Sequence, residues 1–137
     1  MEDFLNKVTI VVKTFNRPYH LDRLINSILH FYPNIKIIIA NDGNDNIQYC
    51  FKNITVYNLP FNLGIAYGRN FLASKVNTEY YITLDDDFIV TEKSDFHSLY
   101  DLISNSEFDI IGGTVFCVDK GERHFEGIVK FNKNSIL

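Results

Sequence analysis

Runs of consecutive apolar residues, rich in valine and isoleucine, alternate along the chain with segments whose apolar residues recur at helical spacing. Continuous hydrophobic runs of this length are typical of strands in a parallel sheet, which are covered on both faces. The runs predict four strands, at residues 7–14, 35–40, 54–59 and 79–84. A fifth run at 109–118 is interrupted by Gly112 and Gly113, and residues 123–131 could form one more strand.

The segments between the runs predict helices. Starting at Leu21, apolar residues recur at helical spacing and predict a helix that stops before Pro33. The predicted helices cover residues 19–31, 64–76, 95–104 and, as a short element, 49–52. Strands alternating with helices predict an α/β fold, a three-layer α/β/α arrangement around a mostly parallel sheet.

Composition indicates one globular domain over residues 1–137. With 137 residues, of which 46% are hydrophobic, the chain can bury one sizeable core, and no change in composition suggests a second. The formal charge of -4 and the pI near 5.5 disfavour a nucleic-acid partner, because nucleic-acid-binding surfaces are basic. An anionic ligand would therefore be met by individual cations or by a metal.

Cysteine usage and hydropathy exclude several other classes. Cys50 and Cys117 form no CxxC pair, so we expect neither a disulfide framework nor a zinc site. The apolar runs are too short for a transmembrane segment, and the N-terminus lacks the basic region of a signal peptide. The chain is also rich in Asn, Ile, Lys and Phe, which is typical of AT-rich bacterial genomes, and we expect a cytoplasmic location.

Polar residues concentrate where each predicted strand ends. The segment KTFNRP follows the first strand, NDGND the second, PFNLGIAYGRN the third and DDDF the fourth. Ligands of open α/β sheets bind in the crevice at the carboxyl ends of the strands. The four segments therefore predict a single site.

Three consecutive aspartates, Asp85, Asp86 and Asp87, follow the apolar run YYITL. An acidic surface turn would explain them, but carboxylates between apolar segments favour a cation nearby. On an extended segment Asp85 and Asp87 point to one side, where both can face a ligand, while Asp86 points to the other and can hydrogen-bond backwards. Oxygen ligands without histidine or thiol favour Mg²⁺ or Mn²⁺, whose remaining positions ordinarily go to substrate phosphates.

Asp42 and Arg69 are candidates for contacts to a nucleotide. The NDG segment that contains Asp42 is also a common turn sequence, and Arg69 could simply be a solvated helix residue. Gly68 beside Arg69 allows close backbone approach. There is no GxGxxG and no GxxxxGK[ST] segment, so neither a dinucleotide fold nor a P-loop is supported.

VTIVVKTFNRP, IIIANDGND, NLGIAYGRN and YYITLDDDF, in this order, resemble the nucleotide-sugar-binding half of GT-A glycosyltransferases of the family 2 kind, whose hallmark is Asp-x-Asp. KTFNRP, LPFNLGIAYGRN and DDDF are similar, more narrowly, to the β-1,4-N-acetylgalactosaminyltransferases related to ganglioside GM2 synthase. The resemblance covers about residues 7–117. It implies the nucleotide-diphospho-sugar transferase architecture, which is Rossmann-like.

The resemblance also implies roles for individual residues. Thr14 and Asn16 would line the nucleotide pocket, and Asp42 would contact the uracil or ribose. Arg69 would contact the base or diphosphate, and Asp87 would bind the metal, Mn²⁺ or Mg²⁺. Asp85 would contact the ribose or the metal, and Asp86 is included with it among the nucleotide-binding residues.

The implied activity is metal-dependent transfer of a sugar from a UDP-sugar to a saccharide or glycolipid acceptor, with inversion. The catalytic base is unassigned, since nothing places the tail carboxylates Asp119, Glu122 and Glu126 near the donor, and we expect the acceptor-binding portion to be missing. A sugar nucleotidyltransferase or a non-catalytic nucleotide-sugar-binding module are the alternatives. An exposed sheet edge near residues 109–131 would favour a homo-oligomer.

Overall fold

The computed structural model describes residues 2–117, 121–123, 131–132 and 135–136. The chain divides into two compact units, residues 1–95 and 96–137. None of the helices in the described ranges is long and apolar enough to cross a membrane.

The first unit is built around a four-stranded, wholly parallel sheet with the order β3-β2-β1-β4. The parallel pairing confirms the prediction of an α/β fold. Its elements in chain order are α1 (Glu2–Lys7), β1 (Val8–Thr14), α2 (Pro18–Phe31), β2 (Lys36–Asn41), β3 (Ile54–Asn58), α3 (Gly64–Lys75) and β4 (Tyr80–Asp85).

The central strand β1 is buried on both faces, as its mostly apolar sequence predicts. On one face Val11 joins Ala40 of β2 and Leu72 of α3 in a buried cluster. Helix α2 buries one apolar stripe at helical spacing, and it begins with a proline at its first position, where no amide hydrogen is needed. The buried stripe of α2 is Leu21, Leu24, Ile25 and Ile28.

Strand register brings the polar strand ends to one edge. Lys13 pairs with Ala40 on one side and with Asp85 on the other, and Thr14 pairs with Asn41. Because all four strands run in the same direction, their carboxyl ends lie together, and this edge carries the candidate site.

The second unit contains α4 (Phe96–Ser104) and two short antiparallel pairs. The pairs are β5 (Val115–Cys117) with β6 (Gly121–Arg123) and β7 (Phe131–Asn132) with β8 (Ser135–Ile136). The predicted strand at 109–118 is wrong over most of its length, since among its described residues, 109–117, only Val115–Cys117 form a strand, which pairs antiparallel outside the parallel sheet. Glycine weakens a strand, which accounts for the absence of strand structure at Gly112 and Gly113.

Two further differences concern short segments. The predicted helix at 49–52 is wrong, because these residues form an irregular segment that leads into β3. Helix α1, which the hydrophobic pattern did not indicate, precedes β1 and buries Phe4. Most of the possible strand at 123–131 lies outside the described residues.

Candidate functional site

An open cavity of about 370 Å³ lies at the carboxyl end of the parallel sheet. Cations and carboxylates line it together with two apolar side chains. The lining residues are Lys13, Phe15, Arg17, Ile65, Asp85, Asp86 and Asp87. The cavity therefore lies where strands β1 and β4 end, as the sequence predicted.

The aspartate triplet spans the end of β4 and the turn after it. Asp85 is the last residue of β4, and its carbonyl accepts a hydrogen bond from the amide of Phe88 at 3.1 Å, which closes the turn. Asp86 is only 6% exposed, whereas the side chains of Asp85 and Asp87 are about half exposed. The alternation predicted for an extended segment ends at Asp85, because Asp86 and Asp87 lie in the turn and both accept a hydrogen bond from Nη1 of Arg17.

Asp86 is held from two directions. The hydroxyl of Thr14 donates to its Oδ2 at 2.8 Å, and Nη1 of Arg17 donates to its Oδ1 at 2.9 Å. Thr14 is itself 1% exposed, so its hydroxyl anchors the buried carboxylate at the end of β1. This pair fixes the position of the turn that carries Asp87.

The two exposed carboxylates are each paired with an arginine. Nη1 of Arg17 lies 3.2 Å from Oδ2 of Asp87, and Nη2 of Arg69 lies 2.8 Å from Oδ1 of Asp85. The hydrogen bond and charge of Asp86, and then those of Asp87, raise the pKa of Arg17, which therefore stays charged. In the structure the cations beside the triplet are guanidinium groups.

Asp42 is buried behind the cavity, at the end of β2. Its carboxylate accepts hydrogen bonds from the ammonium of Lys13 and, at 2.9 Å, from the amide of Gly64 at the start of α3. Burial by itself raises the pKa of Asp42, but these two donors together hold the pKa below its ordinary value. The Lys13 ammonium also lies 5.2 Å from the centre of the Phe15 ring.

The aliphatic part of the Lys13 side chain occupies the space that a side chain at position 68 would fill. A Cβ on Gly68 would lie 2.6 Å from Cγ of Lys13 and 3.1 Å from its Cε. The glycine lets helix α3 pass close enough to β1 for Lys13 to reach Asp42 beneath it. Through these contacts, Lys13, Asp42 and Gly68 hold β1, β2 and α3 together at this point.

Asn16 ties the loop after β1 to the loop after β2. Its φ is +53°, in the left-handed region, and its Oδ1 accepts a hydrogen bond from the amide of Asn44 at 2.8 Å. A Cβ on Gly43 would lie 2.6 Å from that same oxygen, so only glycine fits there. Asn16 borders a crevice with room for about one water, beside Arg17.

The structure brings only some of the predicted site residues to the cavity surface. Asp85, Asp86 and Asp87 line it, and Arg69 reaches it through Asp85. Thr14 and Asp42 are 1% and 0% exposed, and as they stand both support the site from behind. Their contacts with a nucleotide, like those predicted for Asn16, Arg69, Asp85 and Asp86, stay predictions.

Sequence reasoning gave no role to Lys13 or Arg17, although each pairs with a carboxylate of the site. A signal for Lys13 was present, because a lysine inside the otherwise apolar run VTIVVKT is unusual unless it has a partner. Arg17 stands in the KTFNRP segment, next to the strand end that faces the triplet.

The donor set fits a divalent ion that is shared with a ligand. Within the described ranges no group of three or more His, Cys, Asp or Glu side chains converges as a complete metal site. Asp85 and Asp87, however, offer half-exposed carboxylate oxygens to the cavity, and Mg²⁺ is typically bound by one or two carboxylates plus phosphates. Asp119 and Glu126, two of the tail carboxylates, lie outside the described residues.

The family model described as "Glycosyl transferase family 2" matches residues 9–135. Mouse "Beta-1,4 N-acetylgalactosaminyltransferase 2" is 38% identical over 110 residues, which are 80% of this chain and 22% of that protein. Human "Beta-1,4 N-acetylgalactosaminyltransferase 1" is 37% identical over 108 residues, 79% of this chain and 20% of that protein. The chain thus spans about a fifth of the length of the curated relatives it matches.

The crystal structure of S. aureus TarS resembles the fold of this chain. The TM-score is 0.55 at 21% sequence identity, over 72% of this chain and 19% of that one. At this identity the likeness concerns the fold alone. It confirms the predicted GT-A type of architecture, a parallel sheet with flanking helices.

Proposed function

Because the chain belongs to glycosyl transferase family 2, we propose that it forms the donor-binding part of a metal-dependent glycosyltransferase. This enzyme moves a sugar from a UDP-sugar to a saccharide or glycolipid acceptor, with inversion at the anomeric carbon. The names of relatives 37–38% identical make UDP-N-acetylgalactosamine the first donor to test. The family model covers residues 9–135, which supports a single nucleotide-sugar-binding domain.

The charge balance of the cavity is the observation that carries the proposal. Asp42, Asp85, Asp86 and Asp87 outnumber the cations paired with them, Lys13, Arg17 and Arg69, by one. A diphosphate alone would meet a net negative site, whereas one divalent cation reverses the sign. A metal-bound nucleotide therefore suits this cavity better than the nucleotide alone.

Asp85 and Asp87 would hold the Mn²⁺ or Mg²⁺ ion, because their side chains are about half exposed at the cavity, while Asp86 is buried and held by Thr14 and Arg17. When bound, such an ion neutralises charge on the departing UDP. Arg69 stands at the same rim and supports binding of the diphosphate. Deprotonation of the acceptor hydroxyl is left without an assigned residue.

Asp42 and Asn16 support the nucleotide pocket in this proposal. Asp42 is fixed by donors from β1 and α3, so any base or ribose that reaches it meets an ionised carboxylate in a set position. Asn16 fixes the loop after β1 against the loop after β2. Both side chains thereby limit the movement of the strand ends that would surround the nucleotide.

Calorimetric titration of UDP with Mn²⁺ present, and again with chelator present, tests the proposal. We expect binding only with the metal, and Asp87→Asn should abolish that dependence. Asp42→Ala and Arg69→Ala should each weaken UDP binding by about 1–3 kcal/mol, as for hydrogen bonds to charged groups. Arg23→Gln is the control, since Arg23 is an exposed residue of α2 and lines neither crevice.

Equal UDP affinity in the two conditions would refute the metal assignment. Normal UDP binding by Asp42→Ala or Arg69→Ala would make that residue purely structural. A radiolabelled UDP-N-acetylgalactosamine assay over a panel of saccharide acceptors then separates an enzyme from a binding module. Binding without transfer or hydrolysis, by a protein of the relatives' full length, would select the non-catalytic module.

A further inference from the structure

Two arginines from different elements converge on the aspartate triplet. Arg17 comes from the loop between β1 and α2 and contacts Asp86 and Asp87, while Arg69 comes from α3 and contacts Asp85. Each aspartate of the triplet thus has a guanidinium partner within 3.2 Å. The carboxylates that would bind a metal, Asp85 and Asp87, are therefore carboxylates that these arginines contact.

We propose that Arg17 and Arg69 are exchangeable counter-ions that make metal binding and nucleotide binding depend on each other. The inference rests on the function proposed above and names the residues that link its two ligands. Without metal, the guanidinium groups neutralise Asp85 and Asp87. When a divalent cation takes these carboxylates, the guanidinium groups are released toward the diphosphate.

Exposure decides which pairs can exchange. Arg69 and Asp85 are both about half exposed, as are Arg17 and Asp87, and pairs in such positions are weak. Asp86 is 7% exposed at its side chain and keeps two hydrogen-bond donors, so its contact with Arg17 is the lasting one. Arg69 can leave the triplet entirely, whereas Arg17 gives up Asp87 and stays anchored through Asp86.

The exchange predicts effects of opposite sign on the two ligands. Removing the Arg69 charge removes a competitor for Asp85, so the metal alone should bind more tightly. The same change removes a cation that faces the diphosphate, so UDP should bind more weakly when the metal is saturating. By thermodynamic linkage, the metal raises the UDP affinity by the same factor by which UDP raises the metal affinity. Tighter binding of the metal alone and weaker binding of UDP at saturating metal both make this factor smaller.

The test compares Arg69→Gln with the parent and with Arg23→Gln. Mn²⁺ binding without nucleotide is followed by the electron paramagnetic resonance of the free ion, and UDP binding at saturating Mn²⁺ by calorimetry. We expect Arg69→Gln to raise the Mn²⁺ affinity about two- to fivefold, the range for an exposed ion pair, and to lower the UDP affinity about tenfold. Arg23→Gln, with the same loss of charge, should change neither constant by as much.

Two further variants assign the effect to the pairs. In an Asp85→Asn background, Arg69→Gln should no longer raise Mn²⁺ affinity, because the carboxylate for which it competes is gone. Arg17→Gln should raise Mn²⁺ affinity in the same direction as Arg69→Gln, and urea unfolding shows whether loss of the Asp86 contact has disturbed the fold. If Arg17→Gln is unstable, the test rests on Arg69→Gln. The Arg69–Asp85 pair is exposed, so its loss should not disturb the fold.

The outcomes separate this inference from the function on which it rests. A parent chain that binds UDP equally with and without Mn²⁺ would remove the proposed function and the inference with it. A parent that requires Mn²⁺ for UDP, combined with an Arg69→Gln variant whose Mn²⁺ affinity is unchanged or lower, would overturn the inference alone. A rise in Mn²⁺ affinity with a fall in UDP affinity supports it, since general structural damage would weaken both.

Discussion

Replacing Gly68 by alanine should destabilise the chain, although the same change inside a helix is normally favourable. Alanine is preferred over glycine in a helix interior by about 0.5–1 kcal/mol. At this position, however, the new Cβ would lie 2.6 Å from Cγ of Lys13. Cγ is close to the backbone of β1, so it cannot move aside unless the whole lysine side chain changes rotamer.

The size of the expected destabilisation follows from the ion pair that the present Lys13 rotamer makes with Asp42. A different rotamer withdraws the Lys13 ammonium from Asp42, whose side chain is 1% exposed. Loss of one partner from a buried ion pair costs about 3–5 kcal/mol. After the gain in helix propensity is subtracted, we expect Gly68→Ala to lower the free energy of unfolding by about 2–4 kcal/mol. Urea unfolding followed by circular dichroism measures the change.

A background without the ion pair supplies the decisive control. In a Lys13→Ala, Asp42→Asn variant both charges and the lysine stem are gone, so the alanine at position 68 meets no Cγ. There Gly68→Ala should stabilise the chain by about 0.5–1 kcal/mol. An unchanged or higher stability of Gly68→Ala in the parent, or an equal loss of stability in both backgrounds, would refute the link between Gly68 and the Lys13–Asp42 pair.

Substitutions at three more positions test the supports of the site, each by urea unfolding. Thr14→Val removes the donor to buried Asp86 and should cost about 1–3 kcal/mol, whereas Thr14→Ser, which keeps the hydroxyl, should cost less; equal losses would contradict this account. Asn16→Ala should be about 1 kcal/mol less stable than Asn16→Gly. Both variants lose the acceptor for the Asn44 amide, but glycine adopts the positive φ of this position more readily than alanine does. Equal stability of the two variants would show that the backbone at position 16 is not strained. The pKa of Asp42 is held below its ordinary value, so the stability from its ionised form is complete above the unfolded-state pKa near 4 and is lost as pH falls. Asp42→Asn should therefore be less stable at pH 7 and depend less on pH below about 4, and an unchanged acid profile would contradict this.

The sheet could be predicted from the sequence because its strands carry an unbroken local signal. Each of the four apolar runs became a parallel strand within about one residue of its predicted bounds. The segment at 49–52, where the predicted helix is absent, has no comparable local signal. It is too short to nucleate a helix by itself, and the Tyr49 hydroxyl donates to Asp22 of α2, a tertiary contact that no local pattern reveals.

The location of the site was predictable for a topological reason, whereas its internal contacts were not. Parallel strands must bring their carboxyl ends to one edge, so four polar segments placed after four strands had to meet. Which oxygen faces which donor depends on side-chain directions and register. The sequence predicted a cation beside Asp85 and Asp87, but it did not show that Arg69 and Arg17 already stand there.

The charged groups of the site fall into two sets that differ in burial, and this difference bears on how the site could work. Asp42 is buried and is paired at the sheet edge with Lys13, whose side chain is only 10% exposed, so exchange of partners would leave a charge without compensation. Asp85 and Arg69 are half exposed, so either can change partner at small cost. In the proposed function, a buried set that fixes the strand ends and an exposed set that can exchange partners would together let an anionic ligand and its metal enter without rebuilding the sheet. The same division predicts that Lys13→Met should lower stability and UDP affinity together, while Arg69→Gln should change ligand binding alone.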